Sequence, residues 1–382
     1  MSYKNILHLS HTDIRYDARI IKEMYALSVE FRDSKILGIG IELDENNKVS
    51  ELASELDIVS LNLKSKRIKF IPKAVRHLLT MLEFFIKTIA CKKRNKKIEV
   101  IHCHDTLALP IALFLKFLCK SKLIYDAHEL ESDRAGISKF MGRIVYIFEK
   151  SVWKRIDSFI TVSPEILTWY EQNYGKKKAE VILNSPFSKN FKLTKKKSSY
   201  LRNHFNIPTS HPIYLYVGFF THGRGINTLL EIFKKEQSRS IVFLGYGNLD
   251  QALKNAEQEF ENIHVHDAVT PEKVLEVSSS ADFGLCLLEN VSLSDYLCLP
   301  NKLFEYTFAG LFSLSSNFPS IENFLNKYSC GLSCQNGIKS IRDKMQEIEI
   351  LKKKNVLDHQ RVFNDCSWEA QEKKIITLYN DL

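Results

Sequence analysis

Compact apolar runs separated by amphipathic stretches set the rhythm of this chain. Residues 5–10, 35–40, 100–103, 123–126, 158–162 and 181–183 are such runs, each the length of a buried strand. Between the first two, Ile20, Met24, Leu27 and Phe31 recur at i, i+4, i+7 and i+11 behind Asp17, which predicts a helix with one buried face. Residues 188–198 are polar, lysine-rich and without period. The rhythm then restarts with apolar runs at 213–218, 240–245, 263–266, 283–287 and 312–315, and Thr270-Pro271 reads as a helix start. Alternation of this kind predicts an α/β protein with parallel sheets covered by helices on both faces. A length of 382 residues suits two doubly wound, Rossmann-like domains in series. The expected division is a first domain at 1–187, a linker at 188–200, a second domain at 201–360 and a terminal segment at 361–382. Ligands are expected beyond the carboxyl ends of the strands, in a central cleft between the domains.

Composition changes this picture in one place. Hydrophobic residues at 45% fit a folded chain, and the eight cysteines lie mostly in apolar runs, as small core residues do. Cys330 and Cys334 have no second ligand pair after them, so a zinc site is not indicated. The first ten residues lack the pattern of a signal peptide, which leads to an expectation of a cytoplasmic protein. The best candidate span, 107–119, is broken by Pro110 and Lys116 and is too short to cross a bilayer. The net charge of +9 is concentrated: 61–97 holds twelve Lys or Arg and one acid, so that segment carries +11 and the rest −2. Its cations interleave with Ile68, Phe70, Ile71, Leu78, Leu79, Leu82, Phe84, Phe85 and Ile86. No nucleic-acid motif accompanies them, so nucleic acid is not an expected partner. The expected partner is an anionic membrane surface, with a solvated helix face as the plain alternative.

The most informative local segment is 299–310, LPNKLFEYTFAG. It reads as a helix beginning at Pro300 or Asn301, with Lys302 and Leu303 in its first turn. Free N–H groups and the positive end of the dipole there suit a diphosphate. Glu305 follows at a distance suited to the two hydroxyls of a ribose; an ordinary amphipathic helix with a solvated Glu305 is the alternative. Upstream, the loop Gly218-Phe219-Phe220-Thr221-His222-Gly223-Arg224-Gly225 is glycine-rich, which lets backbone approach phosphate closely, and Arg224 is placed to meet the charge.

The string PNKLFEYTFAG resembles the donor-site signature of glycosyltransferase family 4 and its relatives of the GT-B fold. Tyr125-Asp126-Ala127-His128-Glu129, Thr161-Val162-Ser163, Leu183-Asn184-Ser185-Pro186, Leu244-Gly245-Tyr246-Gly247 and Ala281-Asp282-Phe283-Gly284-Leu285 resemble further family segments in the family's order. The resemblance implies a second domain that binds a nucleoside-diphosphate sugar through Gly218, Gly223, Arg224, Gly245, Pro300, Asn301, Lys302, Leu303 and Glu305. It implies a first domain that binds the acceptor, a final helix around 368–379 that crosses back to that domain, and no cofactor or bound metal. His128 and Arg224 are the implied catalytic residues. His128 is also readable as a core histidine held by Asp126. Arg15, His104, Asp105 and Glu129 are candidates to line the acceptor side. The string His102-Cys103-His104-Asp105 has metal, cleft-lining and plain structural readings, and Arg15 and Arg19 can face an anionic acceptor or pair with Asp13 and Asp17. Two departures from the family stand out. Leu297 occupies the first glutamate of the E-x7-E pattern, with Glu289 and Asp295 as nearby substitutes, and Phe219 replaces a loop cation. The expected activity is transfer of a hexose or N-acetylhexosamine, with retention, from a uridine diphosphate sugar to a glycan or lipid-linked acceptor. Its expected setting is the inner face of the cell membrane, in surface polysaccharide or glycoconjugate assembly. An inverting transferase, a nucleotide-sugar 2-epimerase and a non-catalytic membrane-anchoring partner of a transferase are the rival readings.

Overall fold

The computed structural model describes residues 5–43, 51–68, 70–93, 98–187, 198–354 and 357–382. The chain forms two compact units, residues 1–182 with 372–382, and residues 183–371. Most of the expected linker, 188–197, lies outside the described residues.

In the first unit the apolar runs pair as a seven-stranded sheet. Its strands are β1 (Asn5–Leu9), β2 (Lys35–Ile41), β3 (Asp57–Leu61), β4 (Val100–His104), β5 (Lys122–Ala127), β6 (Ser158–Thr161) and β7 (Ala179–Val181). Their spatial order is β3-β2-β1-β4-β5-β6-β7, and every pairing is parallel. The order reverses between β1 and β4, where connections leave to opposite sides and open a crevice at the carboxyl edge. The helix Ala18–Glu30 packs its apolar stripe inward, with Ile20, Met24 and Leu27 fully buried. Its start is fixed by Asp17, whose carboxylate accepts from the N–H groups of Arg19 and Ile20 at 3.0 and 3.1 Å.

The second unit repeats the plan with six parallel strands: β8 (Ile213–Phe220), β9 (Ser240–Gly247), β10 (Ile263–Asp267), β11 (Phe283–Cys286), β12 (Phe312–Ser316) and β13 (Gly331–Cys334). The order is β10-β9-β8-β11-β12-β13, so the switch falls between β8 and β11. Tyr306 of the helix Asn301–Phe308 joins the two central strands. Its hydroxyl accepts from the Val217 N–H at 2.9 Å and donates to the Leu285 carbonyl at 3.1 Å. Gly284 makes room for it, since a Cβ there would stand 2.3 Å from the Tyr306 ring.

Two strands escape a reading by apolar runs. Both β3 and β13 are sheet edges, with mostly half-exposed residues and only one buried position each. A strand covered on one side needs no continuous apolar run.

Candidate functional site

In the first unit the carboxyl ends of β1, β4 and β5 carry a buried network of ionisable groups. Side chains two apart on a strand share a face, so His102 and His104 of β4 stack, with ring centroids 4.5 Å apart. Register places His102 beside His8 of β1, and His104 beside Asp126 of β5. His8 Nδ1 lies 3.0 Å from His104 Nε2, and His104 Nδ1 lies 3.2 Å from His128 Nε2. Tyr379, from the final helix Trp368–Asn380, brings its hydroxyl to 2.9 Å from His102 Nδ1. Arg19 and Glu23, one turn apart on the Ala18–Glu30 helix, face the same cluster. Arg19 donates to both oxygens of Asp126, at 3.1 and 3.0 Å, and to the Ile182 carbonyl at 2.7 Å.

These neighbours separate the protonation states. Burial opposes charge on His128, but Asp105 and Asp126 outweigh it and hold the imidazole up at about 10. Asp126 Oδ2 lies 3.2 Å from His128 Nε2, and Asp105 Oδ1 lies 3.7 Å from its Nδ1. Burial, reinforced by the neighbouring His104, pushes His102 down to about 3. Burial also lowers His104 and His11. Glu23 is raised to about 8 by burial and by Asp126, against the pull of Arg19. At neutral pH the network therefore presents one imidazolium, His128, which is part-exposed, above histidines that stay neutral.

Asp105 opens the helix Asp105–Cys119 in a left-handed conformation, φ 61°. For a residue with a side chain this backbone is strained. There its carboxylate accepts from the His128 N–H at 3.3 Å and lies 3.7 Å from His11 Nδ1.

Four candidate residues of this unit take up the following geometry. His104 does not line a ligand surface: it is fully buried, because the helix Ala18–Glu30 covers the sheet face it shares with His102. Arg15 is committed to Asp13, donating through Nε and Nη2 at 2.9 and 2.6 Å. Arg19 pairs with Asp126 and Glu23, not with Asp17, which caps the helix. Glu129 is exposed just beyond His128. His8, His11, Glu23 and Tyr379 were not singled out from sequence. The signal available was the two-residue period of the histidines in β4, which implies a partner on one face.

Two sets of side chains here could hold a metal. His8, Glu23, His102 and His104 each bring one ligand atom to within 4.8 Å of the others, as do His104, Asp126 and His128. The Arg19 guanidinium, 3.1 Å from Glu23, opposes a cation in the first set, and in the second His128 already carries charge.

In the second unit the carboxyl edge is glycine-built. Gly218 has φ 130°, and a Cβ on Gly245 of the next strand would stand 2.0 Å from the Gly218 carbonyl. Gly223 and Gly225 turn the loop with φ of 78° and 72°. Arg224 is partly exposed, with Nη1 3.3 Å from Asp295 Oδ1, and Asp295 Oδ2 accepts from the Ser292 hydroxyl at 2.7 Å. The Asn301–Phe308 helix starts at Pro300 with no side chain capping it. Asn301 is exposed at its first turn, and Lys302 lays its ammonium 4.0 Å from the Tyr216 ring centroid, beside Gly218. Glu305 is half-buried one turn on. Leu303 departs from expectation: its side chain is fully buried and its N–H donates to the Pro300 carbonyl at 3.1 Å, so it anchors the helix. Phe219, where a cation was expected, stands exposed and meets Tyr246 edge-on at 5.3 Å.

Two parallel sheets, each with its polar groups gathered at the carboxyl edge of a switch point, are the architecture of the GT-B glycosyltransferases. Residues 53–185 match the family model described as Glycosyltransferase Family 4, and the chain resembles that family. An uncharacterized glycosyltransferase of Methanocaldococcus jannaschii is 24% identical over 169 residues, which span 42% of this chain and 43% of that protein. Among solved structures, sucrose-phosphate synthase from Thermosynechococcus elongatus superposes with a TM-score of 0.77 at 18% identity, over 99% of this chain and 98% of that one. Anabaena HepE, solved in complex with UDP and glucose, superposes with a TM-score of 0.72 at 12% identity over the whole of both chains.

Proposed function

We propose that the chain transfers a hexose or N-acetylhexosamine from a uridine diphosphate sugar to a glycan or lipid-linked acceptor, with retention, in surface glycan assembly. One observation carries this reading: the uncapped start of the Asn301–Phe308 helix, Lys302, Arg224 and the Gly218–Gly245 contact meet at one sheet edge. Oriented N–H groups and two cations suit a diphosphate, and Glu305, half-buried one turn on, is the proposed ribose partner. Anabaena HepE has been solved with UDP-glucose, which supports a uridine nucleotide as the donor. In the reaction the anomeric carbon–oxygen bond to the diphosphate breaks and its electron pair leaves with UDP. The acceptor oxygen bonds to that carbon, and its proton passes to the departing diphosphate. Arg224, Lys302 and the helix start stabilise the charge that develops, and the imidazolium of His128 serves the same purpose. No cofactor or metal enters this scheme.

Isothermal titration of UDP tests the donor site. Arg224→Ala should weaken binding at least tenfold, since a hydrogen bond to a charged group contributes about 1.5–3 kcal/mol, and Glu305→Ala should also weaken it. Unchanged affinity in both variants sinks the assignment. Nucleotide release from a panel of nucleotide sugars then separates transferase from epimerase and from inactive partner.

The same reading places the first unit on the inner face of the cell membrane. The helix Lys73–Lys93 turns Val75, Leu78, Leu82 and Ile86 to solvent as one stripe, with Leu78 70% exposed. Phe70, just before it, is 90% exposed. Apolar residues among cations are the pattern of a helix lying in the headgroup layer. Lys69, Arg94, Lys96 and Lys97 of the basic segment lie outside the described residues.

A further inference from the structure

The inner side of the Lys73–Lys93 helix faces a cavity of about 420 Å³ within the first unit. That volume falls in the roughly 300–1,000 Å³ range of small-ligand sites. Its apolar walls come from Ile41 at the end of β2, Met81 of the helix, and Leu107 in the first turn of Asp105–Cys119. Its polar side is cationic: Lys66, Lys73 and Arg76, with His77 beside them. Lys66 Nζ and Arg76 Nη1 donate to the backbone carbonyls of Glu42 and Ile68, each at 3.4 Å. Among the described residues no carboxylate pairs with Lys66, Lys73 or Arg76. A solvated surface would disperse three such cations, whereas here they stand at the mouth of an apolar hollow.

The cavity also adjoins the polar network. His11, which follows β1, forms part of its wall and lies 3.7 Å from Asp105, whose other oxygen lies 3.7 Å from His128. A ligand seated here would lie at the carboxyl edge of the sheet, one side chain from the strained Asp105. Beyond the mouth, Leu78 and Leu82 of the same helix face solvent. The helix thus offers a lined hollow on one side and a solvent-exposed apolar stripe on the other.

We propose that this cavity is the acceptor site and that the acceptor is an anionic amphiphile. Its phosphate or diphosphate sits among Lys66, Lys73 and Arg76, and its apolar chain lies against Ile41, Met81 and Leu107. The term acceptor rests on the transferase reading above, but the binding site itself does not. The exposed stripe would hold the protein where such a molecule is found, with its tail in the bilayer and its head in the hollow.

The test uses the full-length protein with geranyl diphosphate, a soluble amphiphile of this class, against its two halves, inorganic pyrophosphate and geraniol. Titrations are run with UDP at saturation, so that the donor site takes no diphosphate. Geranyl diphosphate should bind at least tenfold more tightly than either half. Lys73→Ser with Arg76→Ser should weaken it by roughly tenfold or more, the effect of losing charged hydrogen bonds. Met81→Trp, which fills the hollow while keeping every cation, should weaken it as well. UDP affinity should stay as in the wild type in both variants. Pyrophosphate binding as tightly as geranyl diphosphate would reduce the site to an anion patch and overturn the proposal. So would equal binding by the wild type, the double variant and Met81→Trp. The two readings fail separately. UDP binding without geranyl diphosphate binding removes the acceptor site and leaves the donor assignment. Geranyl diphosphate binding that depends on Arg76 and Met81, without UDP binding, supports the site and removes the donor assignment.

Discussion

Replacing Asp126 by Asn tests the electrostatic account of the first unit. Asp126 is fully buried and holds two cations, Arg19 through two hydrogen bonds of 3.1 and 3.0 Å and His128 at 3.2 Å. Raising an imidazole from 6.5 in the open chain to about 10 corresponds to about 5 kcal/mol of interaction favouring its charged form. Asp105 and Asp126 share that stabilisation, Asp126 both by its charge and through its hydrogen bond to His128. Breaking a buried ion pair such as Asp126–Arg19 costs about 3–5 kcal/mol. One response offsets this. Glu23 is held at about 8 partly by Asp126; once that charge is gone Glu23 ionises more readily, 3.1 Å from Arg19. The expected net loss for Asp126→Asn is therefore about 3 kcal/mol at pH 7, read by urea denaturation. The His128 C2 proton, followed by NMR, should titrate well below 10 in the variant. The sign of the pH dependence follows from the raised value. The stability contributed by His128 is fully present below 6.5, declines as pH rises above it, and is lost as pH passes through about 10. In Asp126→Asn the decline should be shallower and end at lower pH. A loss under about 1 kcal/mol with His128 still titrating near 10 would refute this assignment of charges.

Gly284→Ala should place a methyl group 2.3 Å from the Tyr306 ring, destabilising the second unit by about 1–3 kcal/mol of overpacking. It should also weaken UDP binding, because Tyr306 holds the Asn301–Phe308 helix to β8 and β11; a wild-type melting midpoint together with wild-type UDP affinity would contradict that account. On vesicles, the wild type should co-sediment with anionic lipid at low salt and be released as the Debye length shrinks from ~10 Å at 0.1 M to ~3 Å at 1 M. Changing Lys92, Lys93, Arg94, Lys96 and Lys97 together to Ser should reduce sedimentation and leave UDP affinity unaltered. Wild-type protein that ignores anionic vesicles at low salt rules the membrane reading out.

How much of this was legible in the sequence depended on whether a feature is local. Strands buried on both faces are continuous apolar runs, so β1, β2, β4, β5, β8, β9, β11 and β12 could be read directly. The edge strands β3 and β13 are too weakly buried to carry that signal. The proposed donor site was legible because its parts are consecutive: a glycine turn ending one strand and a helix start within 299–310. Leu303 was misread because a helix's first turn offers its backbone outward while its third side chain already points to the core. The site in the first unit is assembled differently. It draws His8, Arg19, Glu23, His102, Asp126, His128 and Tyr379 from five elements, and His102 and Tyr379 are 277 positions apart. The family resemblance singled out His128 and the strand-end string His102–Asp105 singled out His104, yet they have opposite fates. The pleat turns His104 inward beneath a helix, whereas His128 lies just past the strand, where the chain leaves the sheet and its side chain is part-exposed. What separates them is the helix Ala18–Glu30, whose Arg19 and Glu23 occupy the space above β4 and β5. That helix was predicted from its apolar stripe; Arg19 was read as facing an acceptor or pairing with a nearby aspartate, and Glu23 drew no reading. Two ionisable residues one turn apart at the edge of an apolar stripe have no reason to be buried until other elements bring a matching charge. Asp126 brings it, and the same carboxylate then fixes His128 as a cation. The charge at the proposed catalytic position is thus set by a residue on another element, which periodicity within any one segment cannot register.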